Sequence, residues 1–142
     1  MISPEASIAA MHTISVIIAD DMHHVRQDLR TVLQLAGQAA GTPVEVLGEA
    51  ENGRQAVEKV ASLRPDVILM DLEMPVLDGY TATKEIKAAF PSTRVIVLTV
   101  HDNPADRTKA LQAGADDFLV KGVPVSEIIH KISLLSHQGD PS

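Results

Sequence analysis

The sequence predicts one α/β domain built in three layers, a parallel sheet covered by helices on both faces. Three observations carry this. Five short apolar runs recur along the chain: Ile14–Ala19, Val44–Ala50, Val67–Met70, Val95–Thr99 and Phe118–Val120. Nearly continuous apolar runs of this length read as strands buried on both faces, which is the habit of parallel sheets. Between the runs, apolar residues return at helical spacing, so strand and helix alternate with right-handed crossovers. Third, four runs close on polar residues: Asp20-Asp21, Asp71, Thr99 and Lys121. The carboxyl ends of parallel strands share one edge, and ligands gather there.

Bulk properties narrow the class. A chain of 142 residues fits one domain and leaves no room for a second. Aromatics are 2%, so the core must come from Val, Ile, Leu, Met and Ala. With no cysteine there is no disulfide framework and no thiolate chemistry. A formal charge of −7 has the wrong sign for direct nucleic-acid binding. No apolar stretch approaches a membrane span, and Met1–Glu5 lacks the features of a signal peptide. A cytoplasmic protein is the expectation, with no membrane partner.

The elements follow in order. Residues 1–12 show little pattern and read as a flexible arm. After the first strand, Val25, Leu29, Val32, Leu33 and Ala36 mark a helix ending near Gly37. The second strand carries Glu45 and Glu49 among apolar residues, which suits an edge. Asn52-Gly53 opens a helix with Ala56, Val57, Val60 and Ala61 on one face, stopped by Pro65. Beyond the third strand, Pro75 and Asp78-Gly79 mark a structured loop, with Asp78 as a helix cap. The helix it opens uses Ala82, Ile86 and Ala89. Asn103-Pro104 caps the next helix, which Gly114 ends. Pro124 starts the last helix, with Val125, Ile128, Ile129, Ile132 and Leu135 facing inward. Residues 138–142 read as a tail or linker stub, leaving 13–137 as the domain.

The residue types at the shared edge point to a divalent cation and a phosphoryl group. Mg²⁺ takes hard oxygen ligands, often only one or two carboxylates plus substrate oxygens and water. Asp20, Asp21 and Asp71 crowd like charges, which is unfavourable unless a cation neutralises them. A carboxylate is also a nucleophile toward phosphorus. Lys121 can neutralise transferred oxygens, and Thr99 can donate a hydrogen bond to one. Singly, each has a plain reading: a strand-end aspartate as a cap, Thr99 as a strand residue, Lys121 as a solvated charge. Their joint placement at neighbouring strand ends is what argues for a site. His23, His24 and His101 suggest no transition-metal site, because adjacent helical histidines diverge and no Cys/His spacing supports zinc. Met70 and Met74 read as packing, and Phe118 as at least partly a core ring.

Together these stretches resemble the receiver domain of two-component response regulators. The resemblance rests on Ala19-Asp20-Asp21 with Val25-Arg26, Gly48–Gly53, Pro65–Pro75, Asp78-Gly79, Val95–Thr99 and Ala113–Lys121. It covers about residues 13 to 136. It implies the chemotaxis-regulator-like, flavodoxin-like (βα)5 fold with strand order 2-1-3-4-5. It implies that Asp71 accepts a phosphoryl group from a sensor histidine kinase or a histidine phosphotransfer protein. Asp21 and Asp71 would ligate Mg²⁺ (or Mn²⁺) directly, Asp20 largely through water, and the Glu73 backbone carbonyl would complete the set. Lys121 would contact the phosphoryl oxygens, Thr99 would move toward them, and Phe118 would rotate inward. The face of the fourth helix, fifth strand and fifth helix would change as a result. Glu73 and His101 stand where the family tunes phosphoryl lifetime. Such a domain is no enzyme beyond its own phosphorylation and dephosphorylation.

The chain departs from the pattern at Gly122, where proline is usual, so the common cis peptide is not expected and Lys121 loses that anchor. Phe118 stands where tyrosine is common, so the switch lacks a hydroxyl. The early stretches look most like regulators with helix-turn-helix output, although these 142 residues are expected to form the receiver alone. The chain is then a stand-alone receiver or a domain separated from its output; dimerisation on phosphorylation is left open. Three alternatives remain. A receiver used only for docking would not need phosphorylation. A haloacid-dehalogenase-like phosphatase wants a second aspartate where Glu73 stands. An FMN-binding flavodoxin wants a hydroxyl- and glycine-rich loop where Asp20–His24 stands.

Overall fold

The structure is a computed structural model that describes residues 13–138. The arm expected at 1–12 and residues 139–142 of the tail lie outside them. The described chain runs β1 (Ile14–Ala19), α1 (His23–Ala39), β2 (Val44–Ala50), α2 (Gly53–Leu63), β3 (Val67–Met70), α3 (Gly79–Ala89), β4 (Arg94–Thr99), α4 (Pro104–Gln112), β5 (Asp117–Val120) and α5 (Val125–Gln138). The strands form one sheet in the order β2-β1-β3-β4-β5, and every pairing is parallel. β2 is an edge, as its glutamates suggest.

Side chains alternate across a strand, so each strand feeds two cores. On one face Ile17, Ile68, Met70, Val95, Val97 and Phe118 pack with Ala56 and Val60 of α2, Ala82 and Ile86 of α3, and Ala110 of α4. On the other, Val16, Ile18, Val67, Leu69, Ile96 and Leu98 pack with Leu33 of α1 and Ile128, Ile129, Ile132 and Leu135 of α5. This is the three-layer arrangement that the alternation predicts, with the flavodoxin-like strand order that the resemblance implies.

Three helix starts form as their sequences dictate. Asn52 accepts from the Gln55 N–H, Asp78 from the Thr81 N–H and Asn103 from the Asp106 N–H, each at 2.8 Å. The structure corrects some details. Val32, Ala61 and Ala89 are exposed. A helix lying on a sheet buries a narrower stripe than its full set of apolar positions, and in α1 that stripe is Arg26, Leu33 and Gly37. α1 ends at Ala39, two residues past Gly37. Glycine is needed at 37 because a Cβ there would sit 2.6 Å from the Thr42 carbonyl oxygen. Gln138 belongs to α5 rather than to the tail.

Candidate functional site

The ladder of the sheet continues one residue past three strands, and this places the polar groups. The Asp20 N–H donates to Ala50 O at 3.0 Å, the Asp71 N–H to Ala19 O at 3.0 Å, and the Lys121 N–H to Thr99 O at 2.7 Å. Residues 101 positions apart thus meet at one edge. Asp20, Asp21 and Asp71 each offer an oxygen within 4.8 Å of the others. Asp20 is 3% exposed and Asp71 8%, while Asp21 is open to solvent. The Lys121 Nζ lies 2.5 Å from Asp20 Oδ2 and 3.5 Å from Asp71 Oδ2.

Three carboxylates face one ammonium, and the charge balance shows it. Burial pushes the Asp71 carboxyl above its usual range, and the neighbouring Asp20 charge adds to this. Lys121 and the Glu73 N–H oppose the rise without cancelling it. Burial alone would lower the Lys121 pKa, but its hydrogen bond to Asp20 and the Asp71 charge outweigh that and raise it. The ammonium is firmly charged and still insufficient. A hard divalent cation suits such a donor set: carboxylate oxygens, one of them solvent-facing, with negative charge in excess.

The remaining expected residues stand around this core. Thr99 is fully buried, and its hydroxyl accepts from the His101 N–H at 3.3 Å. The His101 Nε2 lies 2.5 Å from the Glu73 Oε1, so these two side chains meet at the rim. They border a cleft of about 250 Å³ whose far wall is Tyr80, Asp106 and Lys109. Phe118 is 3% exposed and lies in the core, with the Arg107 guanidinium 4.8 Å from its ring centroid. His23 and His24 are exposed and join no cluster of metal-ligating groups among the described residues. Gly122 has φ +105°, which only glycine adopts readily, and the described residues contain no cis peptide.

Sequence reasoning missed two features. Arg26, on the inward stripe of α1, is buried beside the Asp20 carbonyl and Glu49. Its helical register with Leu33 was the signal. The Tyr80 hydroxyl donates to Asp106 Oδ1 at 2.9 Å and ties α3 to α4, with Lys109 over the ring. Burial and the Asp106 charge push the Tyr80 pKa up to about 12. Nothing in the sequence announced that pair, which depends on how two helices are set against each other.

A family model described as the response regulator receiver domain matches residues 16–133. The chain belongs to this family. It is 38% identical over 121 residues to the chemotaxis protein CheY of Thermotoga maritima, covering 85% of this chain and 96% of that one. It is 37% identical to the transcriptional regulatory protein LnrK of Bacillus subtilis, covering 89% of this chain but 54% of that protein. The response regulator domain of Thermotoga maritima CheB superposes with a TM-score of 0.78 at 32% identity, covering 88% of this chain and 97% of that one. The receiver domain is the shared part of these proteins and is a signalling module of two-component systems. No described helix is long and apolar enough to cross a membrane.

Proposed function

We propose that this receiver is a phosphoacceptor switch in which Asp71 takes a phosphoryl group from a phosphohistidine of a sensor histidine kinase or histidine phosphotransfer protein in the cytoplasm. The observation that carries this is the convergence of Asp20, Asp21, Asp71 and Lys121, in which a nearly buried carboxylate lies beside a charged ammonium and an excess of acid. An Asp71 carboxylate oxygen attacks phosphorus, the P–N bond of the donor breaks, and the imidazole leaves with the electron pair. Mg²⁺ or Mn²⁺ held by Asp21, Asp71, the Glu73 carbonyl and, through water, Asp20 would offset charge on the phosphoryl oxygens. Lys121 now bridges Asp20 and Asp71; with the acid neutralised, its ammonium is released to pair with a phosphoryl oxygen.

Thr99 supplies the readout. Its oxygen accepts from the His101 N–H at 3.3 Å, which leaves the hydroxyl proton available to donate to a phosphoryl oxygen. Phe118 is already buried beneath Arg107, so an inward rotation exchanges one buried setting for another rather than withdrawing the ring from water. That rotation would uncouple Arg107 of α4 from β5 and so reshape the α4–β5–α5 face. Glu73 and His101, in contact at the rim, stand where hydrolytic water must pass.

Intact mass after incubation with Mg²⁺ and acetyl phosphate tests the reading. One phosphoryl adduct is expected on the parent, none on Asp71→Ala, and none when EDTA is present. Absence of an adduct together with failure to bind fluoroberyllate would leave a docking-only receiver. Steady hydrolysis of phosphate esters would instead favour a phosphatase.

A further inference from the structure

Arg26 is the one basic side chain among the described residues in the buried class, at 8% exposure. A buried guanidinium is costly unless its donors are met, and these are met in a specific way. Nε donates to Glu49 Oε1 at 2.9 Å, and Nη1 donates to the Asp20 backbone carbonyl at 2.7 Å. Nη2 lies 3.3 Å from His23 Nδ1. Glu49 is itself fixed, since Arg30 Nε lies 2.9 Å from its Oε2 and Gln27 Nε2 3.1 Å. Burial works against the Glu49 charge, but Arg26 and Arg30 hold its carboxyl below the usual range.

The consequence lies at the β1–α1 turn. Met22, the residue before α1, makes no side-chain cap, so the turn is not closed in the usual manner. It is closed through Asp20 instead, whose Oδ1 accepts the Met22 N–H at 2.9 Å and whose carbonyl is gripped by Arg26. The planar fork of the guanidinium spans from the end of β2 to this carbonyl, which a single point charge cannot do. We propose that Arg26 is a positioning residue for the cation site, anchoring the Asp20–Asp21 turn to Glu49 so that both carboxylates converge on Asp71. This rests on the cation-dependent reading above. Groups that orient metal ligands without touching the metal are worth about 10- to 100-fold in affinity.

The test is a calorimetric Mg²⁺ titration of the parent, Arg26→Lys, Arg26→Met and Glu49→Gln, with melting temperatures measured without metal. Arg26→Lys keeps the charge and one hydrogen bond, so it preserves the fold while losing the two-point grip. About tenfold weaker Mg²⁺ binding is expected for Arg26→Lys and Glu49→Gln, and more for Arg26→Met where it folds. Melting temperatures that fall while Mg²⁺ affinity stays at the parent value in Arg26→Lys would overturn the positioning role and leave Arg26 as a structural group. A parent that binds no Mg²⁺ would overturn the cation reading itself, and with it this inference.

Discussion

The two edges of the sheet treat carboxylates in opposite ways. At the amino-terminal edge Asp66 and Asp116 are each matched where they stand. Asp66 Oδ2 accepts from the Ser15 N–H at 2.9 Å and the Ser15 hydroxyl at 3.1 Å. Asp116 Oδ2 accepts from Lys87 Nζ at 3.0 Å and the Val95 N–H at 2.8 Å, and Arg94 reaches its other oxygen. At the carboxyl edge Asp20 and Asp71 share Lys121, with Asp21 beside them, and Asp71 is left with a raised pKa. One edge is closed by its own residues; the other carries acid in excess of its one ammonium, the imbalance on which the proposed cation site rests. Acids that serve the fold are satisfied within it; an acid left with a raised pKa is a candidate for chemistry.

Removing an acid from each edge should therefore have opposite effects on stability. The largest effect falls at the closed edge. Asp116→Ala leaves the Lys87 ammonium and the Val95 N–H short of an acceptor, with Lys87 keeping only the Pro91 and Thr93 carbonyls. The cost is about 2–3 kcal/mol, a fall of about 10 °C in melting temperature for a domain of this size. Adduct formation on Asp71 should be unchanged at a temperature where the variant is folded. An unchanged melting temperature, or a matching loss of adduct, would erase the contrast between the edges.

Asp71→Asn should move the other way. Burial disfavours the charged carboxylate, so the folded pKa is raised, and the fold prefers the protonated form. That preference is fully expressed below the ordinary value of 3.8 and is lost as pH rises through the raised folded pKa. The neutral amide escapes this loss. Without metal the variant should melt above the parent at neutral pH. The gap should close as pH falls toward 3.8, and should narrow when Mg²⁺ stabilises the parent. Thermal melts across that range check the sign; a variant less stable than the parent at pH 7 would mean that Lys121 compensates Asp71 after all.

How much of this was legible follows from the range of each interaction. The strands, their parallel pairing and the edge position of β2 were written in local periodicity. That Asp71, Thr99 and Lys121 lie at one edge of the sheet was legible because parallel strands must end together. The sequence could not show that Lys121 pairs more closely with Asp20 than with Asp71, because a flexible ammonium chooses its partner by distances of an ångström. Arg26 was hidden for another reason: an arginine on a helix reads as solvated until the carboxylate opposite, Glu49, is known to sit on the neighbouring strand. Val32, Ala61 and Ala89 were misplaced because the apolar pattern of a helix is wider than the stripe it buries.

The last expected effect concerns strain, and here too the edges differ. Arg64, near the amino-terminal edge, has φ +49° but closes α2, its N–H donating to Val60 O at 2.9 Å. That is an ordinary helix ending. Val76, in the loop after Asp71, has φ +70° and is 80% exposed. The Leu77 N–H reaches back to Pro75 O at 2.7 Å, so Val76 is the centre of a γ-turn of the rare, strained kind. A β-branched residue there costs on the order of 1–3 kcal/mol. Val76→Gly removes the strain and adds about 0.5–1 kcal/mol of unfolded-state entropy. An exposed valine gives up little packing, so a net gain of about 1 kcal/mol is expected, read as a rise of about 4 °C in melting temperature. Lower stability would show that the turn is relaxed. Comparing the rate of adduct formation sharpens the result: slower phosphorylation in a more stable protein would mean that the strained turn holds Glu73 and the Asp71 loop in a working geometry.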